Sequence, residues 1–423
     1  METAQLYQLF LQRHSVTTDT RNISPGDIFF ALKGPRFNGN TFAQQALSMG
    51  ASYVVIDEPI NFTDDRIIRT TNALSALQQL SHYHRKQFNI PFIAITGSNG
   101  KTTTKELVNA VLSSTYKTYT TRGNLNNYIG IPLTLLKIKK DAQLAVIEMG
   151  ANNPKEIEGY CKYVQPTHGL ITNFGKAHLE GFGSIEGVRK AKGELFDYLK
   201  NNNGTAFINE DDEFMSQMSK GIKEIITYGT TSGDTRGKIS NNNIFLNLKI
   251  SGSSDDLNTH LVGEYNLANV LASVAIGRYF KVPEAKIKVA IETYIPTNSR
   301  SQIIKKDSNT IILDAYNANP SSMKAAIENF AKMDVADKVL LLGGMMELGN
   351  ESNHEHEQII NMINQCSWYK VVLVGPQFKE IKNPYINLEN STDAKEWFRE
   401  QDFKNTHILI KGSRSMQMEN ILE

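Results

Sequence analysis

The segment Thr96–Lys105, TGSNGKTTTK, joins a five-residue apolar run to a stretch with helical periodicity. Gly97 and Gly100 permit a turn whose backbone N–H groups face inward around Ser98 and Asn99. A helix N-terminus behind the turn adds partial positive charge, so polyphosphate can be held without a basic protein surface. Lys101 supplies a point charge for the β- and γ-phosphates, and the hydroxyl of Thr102 or Thr103 can ligate Mg²⁺. The spacing is G-x-x-G-K-T, with Ile95 where the usual first glycine would stand. The competing reading is a glycine-rich helix cap; the strand before and the helix after favour a nucleotide.

A nucleotide site needs an acidic group for its metal, and LAVIEMGA offers Glu148 at the end of a neighbouring apolar strand. His178, in NFGKAHLEGFGS, follows the strand Gly169–Thr172 and reaches the same sheet edge, where ligands of open α/β sheets collect. For this histidine a metal or phosphate role and a structural role stand level. On the helix Ile185–Leu199, Lys192 shares the apolar stripe of Val188, Leu195 and Leu199. It is either a lysine snorkelling at the stripe edge or a desolvated amine kept partly neutral, as a nucleophilic or modified lysine must be. Spacing leaves both open. Asn266 and Asn269, three apart at a helix start, either cap that helix or grip a nucleotide from one face. His354 and His356 face apart on a helix, and HEHE is not the zinc-protease HExxH; His82 and His84 fail on the same geometry.

These side chains need a large scaffold. At roughly 150 residues per domain, 423 residues predict two to three domains. A composition of 40% hydrophobic and 21% charged residues is that of a soluble globular protein. Charge is nearly balanced, 45 Lys+Arg against 44 Asp+Glu, which excludes a general basic field for nucleic acid or an anionic membrane. Any anionic ligand must therefore be held locally. Cys161 and Cys366 match no metal spacing and fit a reducing compartment. No apolar run approaches the roughly 18 residues of a membrane span, and METAQLYQLF has no signal-peptide pattern. The expectation is a cytoplasmic protein without membrane insertion.

The fold expected is α/β with three domains. Residues 1–90 form a small unit with strands Ile28–Leu32, Tyr53–Ile56 and Arg66–Arg69 and helices Thr41–Met49 and Ala73–Phe88. Residues 91–297 form a mostly parallel phosphate-loop sheet: strands Phe92–Thr96, Leu144–Met149 and Gly169–Thr172, helix Leu267–Tyr279, and a β-rich extension with IFLNLKI after an Asn-rich turn. Residues 298–423 alternate strands Thr310–Leu313, Val339–Leu342, Val371–Val374 and His407–Ile410 with helices Ser321–Ala331 and His354–Ile363, a Rossmann-like order.

Taken together, the motifs resemble the Mur ligase family, the ATP-dependent enzymes that add amino acids to the peptidoglycan precursor. TTDTRNISPGDIFFALKGPRFNG looks like the family's uridine-nucleotide segment. The middle of the chain matches through ITGSNGKTTTKE, TRGNLNNYIGIPLTLL, VIEMGANNPKEI, ITNFGKAHLEGFGS, AKGEL and GEYNLANVLAS, and the last part through LDAYNANPSSM, MELG and LIKGSRSM. The likeness implies a ligase joining D-alanyl-D-alanine to UDP-N-acetylmuramoyl-tripeptide through an acyl phosphate, with ATP and Mg²⁺, expected as a monomer.

Residue by residue, the resemblance makes Lys192 a carbamylated lysine that helps hold a second Mg²⁺, with Glu148, His178 and the Thr102 hydroxyl around the metals. Lys101, His178, Lys192 and Arg300 become the catalytic set. Asn266, with Asn269 beside it, would face adenine, Arg300 the phosphates and Asp314 the ribose. Thr20, Arg21 and Lys33 would contact the uridine nucleotide. Asn124, Asn126 and Asn127 would line the path of the muramoyl peptide, and Asn317 and Asn319 would also bind substrate. Two positions depart from the family pattern, Gly344 in LGGMMELG and Asn40 after Asn38-Gly39. The alternatives are the family's third-residue ligase, whose DNPR-type motif is missing here, a folylpolyglutamate synthase, whose phosphate loop lies nearer the N-terminus, and a regulatory P-loop ATPase, which gives no reason for Lys192.

Overall fold

Short β-branched and aromatic runs bounded by turn residues become the strands of three main sheets in the computed structural model, which describes residues 1–13, 15–242 and 244–423. The first sheet is parallel, in the order Val16–Thr17, Ile28–Phe30, Tyr53–Ile56, Ile67–Arg69. The helix expected over 41–49 is shorter, a 3₁₀ turn over Gly39–Phe42 followed by Ala43–Ser48. The reason is local: the Asn38 side chain accepts from the Asn40 N–H, which caps the turn before an α-helix can begin. Asn40 itself is buried and bonds Asp57 through both ends of its amide, so this departure from the family pattern is a structural pin.

The central sheet has nine strands, in the order Asp256–Val262, Phe245–Ile250, Thr235–Asn242, Glu224–Gly229, Thr205–Asn209, His168–Ile171, Phe92–Thr96, Leu144–Glu148, Thr118–Thr120. It is parallel from Thr118–Thr120 through to the start of Thr235–Asn242, and the last two strands add antiparallel. This is the expected β-rich extension, although Asn243 of the Asn-rich turn lies outside the described residues. Alternation along Phe92–Thr96 explains why both faces are covered. Phe92 and Ala94 pack with the helices Glu156–Val164 and Ile185–Asn201, while Ile93 and Ile95 pack with Lys101–Ser113 and Leu267–Tyr279.

His168, on the central strand, is buried between Thr167, Tyr279 and Phe280. Burial pushes its pKa down to about 4, against a smaller raising effect of Glu224. The folded state thus refuses a proton that the unfolded chain accepts below about pH 6.5. Stability is complete above 6.5 and is lost as pH falls from 6.5 toward 4, by about 3 kcal/mol. A His168→Phe variant is expected to flatten the acid limb of the urea midpoint plotted against pH in that window; an unchanged limb would remove His168 as its cause.

The third sheet runs Gln302–Lys306, Asn309–Asp314, His407–Lys411, Lys338–Gly343, Lys370–Val374, Ile386–Leu388, parallel except for the first hairpin. Helix Ala73–Arg85 ties the first unit down: Arg85 donates to the carbonyls of Val164, Gln165 and Phe88, and Leu136 joins the first unit's apolar cluster. The third unit is docked on the central one by Lys176, whose Nζ lies 2.6 Å from Glu355 and whose N–H donates to Ser321 Oγ at 2.8 Å.

Candidate active site

Between the central and third sheets lies a cavity of about 620 Å³, lined on one side by Ser98–Thr103, Glu148, Asn173, His178, Asn266 and Asn269 and on the other by Arg300, Asp314, Asn317 and Asn319. Its floor is the phosphate loop. Gly97 has φ 138°, and a Cβ there would meet Thr172 Oγ1 at 2.0 Å; Gly100 has φ 78°, and a Cβ would meet Asn269 Oδ1 at 2.7 Å. Both positions thus demand glycine. Asn173, not among the expected residues, grips the loop by accepting from the Asn99 N–H and donating to the Asn99 carbonyl, both at 3.0 Å. The Lys101 amine is bonded to the carbonyls of Gly97 at 2.7 Å and Ser98 at 3.0 Å. Desolvation pushes its pKa down to about 8, with Glu148 opposing and Arg300 adding to the fall. An amine so poised regains its full charge beside a polyphosphate.

Glu148 ends its strand only 1% exposed. One oxygen accepts from Thr102 Oγ1 at 3.1 Å and from Asn126 Nδ2 at 2.7 Å, and its N–H is held by Thr121 Oγ1 at 3.0 Å. The other oxygen, Oε2, is buried and has no partner. An ionised carboxylate oxygen so placed is costly unless a cation meets it. Beside a hydroxyl, this donor set suits a hard cation such as Mg²⁺. Among the described residues no group of three or more His, Cys, Asp and Glu clusters for a metal, so a bound metal would share its ligands with hydroxyl and phosphate oxygens.

Lys192 does not snorkel. It is 1% exposed, its Nζ donates to the Ala151 carbonyl at 3.0 Å and it lies 5.1 Å from the Phe182 ring centroid. Burial first, then the Lys101 charge, hold the amine well below its usual range against Glu156 and Glu194. It stands behind Ala151, which lines the cavity. Glu194 is committed elsewhere, accepting from the backbone N–H groups of Lys155 and Glu158 at the start of helix Glu156–Val164. His178 also lines the cavity and pairs through Nδ1 with Glu347 Oε2 at 2.5 Å.

The asparagines form a brace. Thr104 donates to Asn269, Asn269 to Asn266 and Asn266 to the Val262 carbonyl. This chain ties the phosphate-loop helix to helix Leu267–Tyr279 while both asparagines still border the cavity. Arg300 stacks on Tyr316, 3.6 Å from its ring centroid, and its buried Nε has no partner. Asp314 accepts from the Ser301 N–H at 3.0 Å and from Lys411 at 2.5 Å; Lys411, fully buried, is a second residue that spacing did not single out. Asn319 caps helix Pro320–Lys332 and donates to Asn99 Oδ1 at 2.8 Å, so the third unit touches the phosphate loop itself.

Other expected residues stand apart. Asn126 and Asn127 border the cavity, but Asn124 is exposed and does not. Asn127 accepts from the Ile129 and Gly130 N–H groups just before the helix Gly130–Leu135. Among the described residues none before Ser98 lines the cavity, so Thr20, Arg21 and Lys33 lie outside it. The Arg21 side chain is 86% exposed with its fork on Asp19, and Lys33 pairs with Glu58 at 3.0 Å. At Gly344 a Cβ would meet Gln377 Oε1 at 2.4 Å, so Gln377 fills the space a side chain there would take.

Three family descriptions match in sequence: Mur ligase family, catalytic domain, over residues 12–95; Mur ligase middle domain over 95–277; and Mur ligase, glutamate ligase domain, over 299–414. The chain is 35% identical to the UDP-N-acetylmuramoyl-tripeptide–D-alanyl-D-alanine ligase of Escherichia coli, over 96% of this chain and 92% of that one. It is 33% identical to the protein of the same name from Bacillus subtilis, over 97% and 92%. Among solved structures it resembles MurF from Acinetobacter baumannii, with TM-score 0.87, 30% identity and coverage of 98% and 97%. It also resembles the MurF ligase of Thermotoga maritima in complex with ADP, with TM-score 0.84, 26% identity and coverage of 97% of each chain. With the phosphate loop, the partnerless Glu148 oxygen and the three-sheet architecture already in view, the full-length likeness shows that the chain belongs to the Mur ligase family.

Proposed function

We propose that the protein is an ATP-dependent ligase that joins D-alanyl-D-alanine to UDP-N-acetylmuramoyl-tripeptide in peptidoglycan precursor synthesis. The observation that carries the reading is a single cavity in which a phosphate loop and an unpartnered buried carboxylate oxygen face Asn317, Asn319 and Arg300 of another domain. That arrangement fits joining an activated acid to an amine delivered from the opposite side, and the names of the full-length relatives agree with it.

Residues 1–90 bind the uridine nucleotide through Thr20, Arg21 and Lys33, residues 91–297 bind ATP, and residues 298–423 bring the dipeptide. The tripeptide carboxylate takes the γ-phosphoryl group, giving an acyl phosphate; the dipeptide amine adds to its carbonyl, and phosphate leaves with one former carboxylate oxygen. Lys101 and Arg300 bear on the charge that develops on the transferring group, where most of the catalysis of such steps resides. Asn126 and Asn127 orient the tripeptide, while Asp314 and Asn266 receive the nucleoside. Mg²⁺ bound at Glu148 and the Thr102 hydroxyl would neutralise phosphate charge. Lys192, whose proton burial loosens, is the amine that would carry a carbamate, and with His178 it would hold a second metal and supply negative charge there.

The docked third domain excludes water from the acyl phosphate. No helix among the described residues is long and apolar enough to cross a membrane, and both cysteines are free, which suits the cytoplasm.

Mass spectrometry of a reaction with ATP, D-alanyl-D-alanine and, in turn, the lysine and diaminopimelate UDP-tripeptides tests the reading. The expected product is the tripeptide nucleotide plus the dipeptide less water; ADP formation without that product would refute it. Arg21→Ala is expected to raise KM for the UDP substrate about tenfold, the loss of one charge-assisted hydrogen bond, and to leave ATP affinity unchanged. A selective loss of ATP binding would overturn the assignment of the first domain.

A further inference from the structure

His178 and Glu347 meet from two different domains, and both stand in the left-handed backbone region, at φ 53° and φ 62°. For two non-glycine residues facing one another this is costly backbone, of the kind that persists where the surroundings over-determine it. The surroundings here are specific. Nδ1 of His178 lies 2.5 Å from Glu347 Oε2, and the Glu180 N–H donates to the Glu347 carbonyl at 3.2 Å. Leu179, the residue after the histidine, packs into the third domain's apolar cluster with Met345 and Leu348. Two residues before His178, Lys176 pairs with buried Glu355. The segment that carries His178 is thus fastened to the third domain by backbone, apolar and ionic contacts at once.

We propose that Glu347 is a positioning residue: it holds the cavity-lining His178 through Nδ1–H, leaves Nε2 as the ring's acceptor, and does so only while the third domain is docked. An ionised carboxylate can only accept, so Nδ1 carries the proton, and in a neutral imidazole Nε2 is then the free lone pair. Outer carboxylates of this kind fix the tautomer and the ring orientation of the histidine they hold. The consequence is order. The phosphate-side histidine is complete only when the domain that brings the amine is in place, so ATP is not spent before the acceptor domain closes.

The kinetic arm of the test rests on the ligase reading, and the spectroscopic arm does not. In the full-length protein with ¹⁵N-labelled histidine, the His178 ring is expected to show a protonated Nδ1 and an unprotonated Nε2. Glu347→Ala should lose that tautomer and lower kcat by about 10- to 100-fold with KM for ATP unchanged. Glu347→Gln, whose amide oxygen still accepts from Nδ1–H, should keep the tautomer and most of the rate. If the alanine variant does not fold, Glu347→Met removes the acceptor at similar volume and carries the same expectations. His178→Ala should cost the same with or without Glu347→Ala, because the two residues act as one unit. An unchanged ring tautomer in the variant lacking the carboxylate, or losses that multiply, would overturn the proposal. Wild-type protein that forms no ligation product refutes the ligase reading alone, since the ring signals are read without substrate.

Discussion

Lys192→Ala is expected to lower ligation by about 10²- to 10³-fold, the range seen when a preorganised group that stabilises transition-state charge is removed, with KM for the UDP substrate little changed. The argument begins with burial. The amine is 1% exposed, has one carbonyl partner and lies near the Lys101 charge, so it gives up its proton more readily than an exposed lysine does. The neutral form of the amine reacts with CO₂ and loses one N–H proton, and the carbamate so formed places an anion behind Ala151 at the cavity wall. Alanine leaves space for a small carboxylate, so acetate or formate in the assay should restore part of the rate, and bicarbonate should restore less. Near-normal turnover in Lys192→Ala, with a melting temperature like that of the parent, would sink the carbamate role. An intact mass 44 Da above the unmodified chain is the expected mark of the modification, since carbamylation adds one CO₂.

Lys101→Met should be the other severe variant, again by about 10²- to 10³-fold in kcat. Here the side chain does two jobs in sequence. It closes the loop on itself through the Gly97 and Ser98 carbonyls, and to meet a phosphate it must turn outward as a compact point charge. Methionine keeps the length and removes both. Lys101→Arg should not rescue the rate, because a planar fork does not replace a rotating ammonium in a loop this tight. If Lys101→Arg proved fully active, the lysine would be no more than a general positive charge and the phosphate-loop account would need revision.

Much of this site could be read along the chain because its chemistry is local. Gly97, Gly100 and Lys101 lie within five residues, and Glu148 ends an apolar strand whose burial on both faces follows from its unbroken hydrophobic run. The ambiguous residues needed the third dimension. Lys192 was poised between snorkelling and desolvation until its stripe was packed beneath Phe182 and Ala151. Asn266 and Asn269 were poised between cap and ligand, and they prove to brace the phosphate helix at the cavity wall. Lys411 and Asn173 have no local signature. Lys411 matters because parallel pairing sets it beside Asp314, and Asn173 because the chain after Ile171 turns back under the loop. The His178–Glu347 and Asn319–Asn99 contacts join residues 169 and 220 positions apart, and no periodicity reports a domain docking. Strand Thr205–Asn209 went unread because its sequence TAFIN has only three consecutive apolar residues between polar ones.

In the proposed reaction ATP energy passes through the tripeptide carboxylate. The most direct test is to label that carboxylate with ¹⁸O, run the complete reaction with ATP and D-alanyl-D-alanine, and measure the mass of the inorganic phosphate released. The acyl phosphate route predicts one carboxylate-derived ¹⁸O in each phosphate formed; phosphate free of the label would mean that water had taken the phosphoryl group, and would contradict the account.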